Sequence, residues 1–133
     1  MSINMEFWYM NTSPKHSDFK VLIVDDNPLN LKLLSVFAKK WNLDFDLSTN
    51  GKEALLLAKK TNYELILMDV QLPDMCGVEV VEMIKSTGSQ SHVIYLTGMD
   101  NMKDTEMDVL LKPYDPMVLK EKINMLKLKE MAA

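Results

Sequence analysis

Two apolar runs in this chain each end in acid. Val21-Leu22-Ile23-Val24 stops at Asp25-Asp26, and Leu65-Ile66-Leu67-Met68 stops at Asp69, with Val70-Gln71-Leu72-Pro73-Asp74 following. A continuous apolar run bounded by turn residues reads as a strand buried on both faces. In an open parallel sheet, chemistry collects at the carboxyl ends of the strands. A carboxylate buried there is costly unless it has partners. If the two strands are neighbours, Asp25, Asp26 and Asp69 meet. Three such groups repel, so either some protonate or a cation sits among them. Ligands that are all oxygen select a hard ion, and Mg²⁺ is held through one or two carboxylates together with phosphate oxygens and water. The cluster therefore predicts a divalent site and suggests a phosphoryl group as the further ligand. An Asp carboxylate can itself be a nucleophile that forms an aspartyl-phosphate. Phosphoryl transfer asks for positive charge around the moving group and an in-line approach. Two further apolar runs end in groups of that kind: Thr97, a hydroxyl donor, and Lys112, a cation on a long stem.

Taken singly, each of these residues has a plainer reading. Paired Asp after a strand is a common helix-start signal, Thr a common turn residue, and Lys-Pro a common solvated helix lead-in. Weight comes from position, because all five fall at the ends of separate strands on one rim.

The elements that must position them alternate along the chain. Lys20 to Val24 is a strand. Asn27 caps a helix with Pro28 in its first turn, and Leu34, Phe37, Ala38 and Trp41 recur at helical spacing. Asp44 to Ser48 alternates acid and apolar residues, as an edge strand with one wet face does. Asn50 caps a helix striped by Ala54, Leu57 and Ala58, with Asn62 as its stop. The strand ending at Asp69 follows. Met75 to Ser86 is a helix with Val80, Met83 and Ile84 inward and Gly88 beyond its end. Val93 to Leu96 and Met107 to Leu111 are strands. Asp115 and Pro116 open a last helix with Leu119, Ile123 and Leu126 on one side. This order predicts an α/β fold, a doubly wound five-stranded parallel sheet with flavodoxin-like order 2-1-3-4-5.

Size and composition set the limits. The chain has 133 residues, of which 47% are hydrophobic and 26% charged, enough for one domain with its own core. Its net charge of -4 disfavours a broad nucleic-acid surface. No apolar run approaches a membrane span, and the first residues lack the pattern of a secretory signal. Cys76 is the single cysteine, which leaves no internal disulfide and makes a reducing cytoplasm the expected compartment. Residues 1–18 read as a loosely ordered leader around Phe7-Trp8-Tyr9-Met10, residues 19–129 as the domain, and residues 130–133 as a frayed tail. His16 and His92 read as ordinary surface or strand-start residues, Cys76 as a loop residue, and the twelve methionines as core gap-fillers.

Val21 to Asn27, Met68 to Gly77, Thr97 and Leu111-Lys112-Pro113 together resemble a response-regulator receiver domain (CheY-like) of two-component signalling, closest in motif to receivers associated with hybrid sensor kinases. The resemblance covers roughly Phe19 to Lys129. It implies Asp69 as phosphoacceptor, and Asp26, Asp69 and the backbone carbonyl of Gln71 as direct Mg²⁺ ligands, with Asp25 acting through water. It implies Lys112 pairing with phosphoryl oxygens, Thr97 turning to hydrogen-bond them, and a cis peptide before Pro113. The donor would be a sensor histidine kinase or a histidine phosphotransfer protein. A single-domain receiver of this kind, without an output domain, would signal by protein–protein contact rather than work as a turnover enzyme. It would need neither nucleic acid nor membrane, and would be a monomer or weak dimer.

Two departures from the family pattern stand out. Receivers usually carry an aromatic switch residue three positions before the lysine, and here that position is Val109. Only Gly98 to Glu106 remain for the crossover before the last strand, fewer than a helical crossover needs. A shortened or missing fourth helix, and with it an atypical partner surface, is expected. The leader's aromatic residues could cover what such a gap exposes. Two other classes compete. A degenerate receiver would act as a phosphorylation-independent interaction module. A phosphohydrolase working through an aspartyl-phosphate would typically place a second acid two residues after its nucleophile, where this chain has Gln71.

Overall fold

The apolar runs that lead into Asp25, Asp69, Thr97 and Lys112 become strands of one parallel sheet, joined at its edge by the alternating segment Asp44–Ser48. The computed structural model describes residues 19–102 and 106–132. The strands are β1 (Lys20–Val24), β2 (Asp44–Ser48), β3 (Leu65–Asp69), β4 (His92–Thr97) and β5 (Asp108–Leu111), ordered β2-β1-β3-β4-β5. Helices α1 (Pro28–Lys40), α2 (Gly51–Lys60), α3 (Gly77–Ser86) and α4 (Pro116–Ala132) alternate with them. This is the doubly wound order expected from the sequence.

Alternation along the strands divides the core in two, because successive side chains point to opposite faces. Val21, Ile23, Leu65, Leu67, Ile94 and Leu96 face one layer, where Leu31, Leu34 and Ala38 of α1 and Leu119 and Ile123 of α4 meet them. Leu22, Val24, Ile66, Met68, Val93 and Tyr95 face the other, against Ala54 of α2 and Val80, Val81 and Ile84 of α3. Each large apolar side chain buried this way contributes roughly 1.5–3 kcal/mol. The acidic strand β2 is an edge, with Asp44 and Asp46 half-buried.

Helix starts follow local chemistry. The Asn27 side chain accepts from the amides of Leu29 and Asn30 at 2.9 and 3.2 Å. The Asn50 side chain accepts from the Glu53 amide at 2.8 Å, and that of Asp115 from the Met117 amide at 2.9 Å. Caps of this kind are each worth about 1 kcal/mol. Gly88, past the end of α3, has φ of 92°, where a residue without Cβ is favoured.

Several boundaries and faces differ from the sequence reading. Helix α3 begins at Gly77 rather than Met75, because the backbone before it folds back in an antiparallel bridge between Gln71 and Cys76. Val81 turns inward, and Met83 is 48% exposed. Leu31 and Tyr63 join the core, while Phe37 and Trp41 stack on each other at 5.3 Å, only partly covered. Met68 and Met102 are buried, but Met83, Met99, Met107, Met117, Met125 and Met131 lie on the surface, so gap-filling does not account for the methionines. Helix α4 runs through Glu130 and Met131 to Ala132. Between β4 and β5 the described residues hold one 3-10 turn, Asp100–Met102, and no α-helix. The leader, with its aromatic patch and His16, lies outside the described residues.

Candidate functional site

The register of the central strands sets the site. Val24 lies opposite Met68, so the residues that follow, Asp25 and Asp69, arrive at the same height. Asp69 in turn lies opposite Leu96, one residue before Thr97, and Thr97 lies opposite Leu111, one residue before Lys112. Four neighbouring strands therefore deliver the five predicted groups to one rim. Carboxylate oxygens of Asp25, Asp26 and Asp69 all lie within 4.8 Å of one another.

Burial divides the acids. Asp25 is fully buried and Asp69 nearly so, while Asp26 is exposed. Their remaining bonds hold them in place. The Asn27 amide donates to Asp25 Oδ1 at 2.9 Å, and the Gln71 amide donates to Asp69 Oδ1 at 3.1 Å. Lys112 Nζ stands 3.4 Å from Asp25 Oδ2 and 3.4 Å from Asp69 Oδ2, bridging the two buried charges. Burial raises the pKa of Asp69 above the usual carboxylate range, and the nearby Asp25 adds to this; the Gln71 amide and Lys112 offset part of the rise. The Thr97 hydroxyl, itself buried, accepts from the Met99 amide at 3.0 Å. The peptide between Lys112 and Pro113 is cis, as the resemblance implied. Lys112 is also tied back to β4, its amide donating to the Thr97 carbonyl at 2.7 Å.

The donor set fits a small hard cation. Three carboxylates converge, one of them facing solvent, and a single ammonium cannot neutralise them. Beside Asp25 and Lys112 a cleft of about 380 Å³ opens between α1 and the start of α4, lined also by Asn30, Leu33, Phe37, Tyr114 and Pro116. Burial, with Asp25 nearby, pushes the Tyr114 hydroxyl up to about 12, so it stays protonated over the working range.

Two supporting residues escaped the sequence reading. Asp74 accepts from the amides of Gly51 and Lys52, both at 2.9 Å, and so ties the loop after Asp69 to the start of α2. Gly77 passes so close to the end of β3 that a Cβ there would lie 2.2 Å from the Asp69 carbonyl oxygen. Pro73-Asp74 and Cys76-Gly77 carry turn signals in the sequence, but neither pair says what its loop will touch. Cys76 is exposed at the start of α3. His92 pairs with Asp108 at 2.8 Å at the far end of β4, away from the acidic rim.

Comparison with known proteins gives the same picture. The family model for the response regulator receiver domain matches residues 21–124. The response regulator mcs4 of Schizosaccharomyces pombe is 49% identical over 65 residues, 49% of this chain and 12% of that protein. The autoinducer 2 sensor kinase/phosphatase LuxQ of Vibrio harveyi is 38% identical over 86 residues, 65% of this chain and 10% of that protein. The chain thus spans about a tenth of the length of these relatives. Among solved structures, the response regulator TrrA of Thermotoga maritima, in complex with Mg²⁺–BeF, superposes with a TM-score of 0.74 at 28% identity, over 81% of this chain and 98% of that one.

Proposed function

The chain belongs to the response regulator receiver domain family, and from that premise we propose that it accepts a phosphoryl group on Asp69 from the phosphohistidine of a sensor kinase or histidine phosphotransfer protein. The observation that carries this reading is Lys112 Nζ, held at 3.4 Å from both Asp25 and Asp69. In the transfer, an Asp69 carboxylate oxygen forms the new P–O bond. The P–N bond of the donor breaks, and its electron pair returns to the imidazole. Lys112 sits where it can follow the phosphoryl oxygens, and Thr97 can turn its hydroxyl toward them once it leaves the Met99 amide. Asp26, Asp69 and the Gln71 carbonyl would hold Mg²⁺, with Asp25 acting through water. The ion, when bound, would neutralise charge on the oxygens of the phosphoryl group. The cleft between α1 and α4 opens beside Asp25 and Lys112, the two groups next to Asp69.

The working unit is residues 19–129, acting in the cytoplasm by protein–protein contact as a monomer or weak dimer. No helix among the described residues is long and apolar enough to cross a membrane. The added phosphoryl carries up to about two negative charges, enough to bias a two-state element. Incubation with a small phosphodonor and Mg²⁺ should add one phosphoryl group to wild type by intact mass and none to Asp69→Asn. Equal labelling of both proteins sinks the assignment.

One observation favours a second reading, a receiver that binds its partner regardless of phosphate. Val109, where receivers usually carry an aromatic residue, lies opposite Tyr95 beside a crossover that holds no α-helix among the described residues. Wild type that binds Mg²⁺ but takes no phosphoryl group would support it.

A further inference from the structure

The loop that follows Asp69 is pinned at its base and at its tip. At the base, the Gly77 amide donates to the Val70 carbonyl at 2.7 Å, and Gly77, lacking a Cβ, lies against the Asp69 carbonyl. Beside that bond, Gln71 and Cys76 form an antiparallel bridge. The bond runs between their neighbours, so Gln71 stands at a non-hydrogen-bonded position and its carbonyl is left out of the pairing. Its amide is committed to Asp69 Oδ1 at 3.1 Å. At the tip, the Asp74 carboxylate accepts from the amides of Gly51 and Lys52, both at 2.9 Å. The loop also presses on the first residue of α2. A Cβ on Gly51 would lie 2.5 Å from Met75 Cγ and 2.8 Å from Val80 Cγ2.

Capping alone does not explain the tip. Helix α2 already has a cap of its own, since the Asn50 side chain accepts from the Glu53 amide at 2.8 Å and the Asn50 carbonyl from the Ala54 amide at 3.1 Å. Water can satisfy an amide left over at an exposed helix start, and the bond from Lys52 to Asp74 is exposed. Water cannot hold residue 74 against α2. With the tip fixed, the loop cannot swing about the Val70–Gly77 bond. With the tip released it can, and the first residue past that pivot is Gln71. On the premise proposed above, that the Gln71 carbonyl is a direct Mg²⁺ ligand, we infer that Asp74 is a positioning residue: by clamping the loop to α2 it holds that carbonyl in place for the ion. Asp74 is not among the acids that converge on the site, so it acts through the backbone of its loop. Mg²⁺ tolerates little departure from octahedral geometry, so a displaced carbonyl gives up its position to water. The consequence falls on ion affinity and not on the phosphoryl step. Asp69, Thr97 and Lys112 stand at strand ends whose pairing does not pass through Asp74.

Calorimetric titration of the full chain with Mg²⁺ alone is the test. Asp74→Ala should bind Mg²⁺ on the order of tenfold more weakly than wild type. Asp74→Asn keeps the size of the side chain but offers one accepting oxygen for two amides, so its affinity should fall between the two. The Asn variant carries the same test if the Ala variant does not fold. Asn50→Ala is the control for a purely structural role. It removes a cap from the same helix start and leaves both bonds of Asp74 in place, so it should melt lower but bind Mg²⁺ as wild type does. With a small phosphodonor, the Mg²⁺ concentration giving half the maximal labelling rate should rise in Asp74→Ala in step with the titration, and saturating Mg²⁺ should restore the wild-type rate. Unchanged Mg²⁺ affinity in Asp74→Ala overturns the inference, and so does equal weakening in Asn50→Ala. A loss of rate that saturating Mg²⁺ does not restore overturns it too. Wild type that binds no Mg²⁺ removes the metal reading and this inference together, whereas wild type and Asp74→Ala binding alike remove this inference alone.

Discussion

Asp69 is ionisable in a place that disfavours ionisation. Burial raises its pKa in the fold, while in the unfolded chain it titrates near 3.9. Above that value the folded state holds its proton longer than the unfolded state does. Stability therefore falls as pH rises through the window between the two pKa values, and stays lowered above it. Without Mg²⁺, Asp69→Asn should melt higher than wild type near neutral pH, and the gap should close below about pH 4. A thermal melt series across pH checks this. Gly77 shows the opposite dependence, on space. A methyl group there meets backbone at 2.2 Å, and backbone cannot rotate aside. Gly77→Ala should cost about 1–3 kcal/mol or more by urea denaturation and shift Asp69 with it. Asp25, Asp26 and Asp69 were legible in the sequence because each closes an apolar run. Asp74 and Gly77 were not, since their partners lie across a loop that no periodicity encodes.

At the level of elements, strands were easier to read than helix ends. An apolar run that must be buried on both faces has few alternatives, so β1 matches its expected range and β3, β4 and β5 follow closely, while β2 matches through its acid and apolar alternation. Helix α3 begins later than expected because Met75 and Cys76 belong to the turn that returns from Gln71. Its inward stripe runs through Gly77, Val80, Val81 and Ile84 at helical spacing, which leaves Met83 outside. The same turn is clamped to α2 by Asp74, whose carboxylate is held below the usual range by the amides of Gly51 and Lys52. Asp74→Ala should leave the fold standing but loosen this joint. Amide hydrogen exchange at Gly51 and Lys52 should quicken while the β3 amides stay protected. Strand β5 is fastened differently. Burial works against the charge of Asp108, but bonds to Lys122 at 2.7 Å and His92 at 2.8 Å outweigh it and lower its pKa. A lowered carboxylate pKa stabilises the fold above its unfolded value and loses that contribution as pH falls through the folded one. Asp108→Asn should cost about 1 kcal/mol near neutral pH, and its urea midpoint should converge with wild type below about pH 4.

For the molecule as a whole, alternation of strand and helix was enough to predict the strand order, because right-handed crossovers leave few arrangements. The shortened crossover, a single 3-10 turn among the described residues, was also legible, as a simple shortage of residues. The outward apolar side of α4 was not. Leu119, Ile123 and Leu126 gave a sufficient inner stripe, and the methionines opposite were assigned to the core by composition alone.

Strand order and sequence order part company in one consequential place. β1 is made first yet sits inside the sheet, and β5, bearing Lys112 just past its end, is made last and closes an edge. A nascent chain leaving the ribosome can thus bring out β2, β1 and β3 with their acids before Lys112, 43 residues after Asp69, has itself emerged. Until then, seating Asp25 and Asp69 side by side means crowding like charges. The arrival of Lys112 would then act as a catch, and a chain stalled before residue 112 should keep that end of the sheet open to protease.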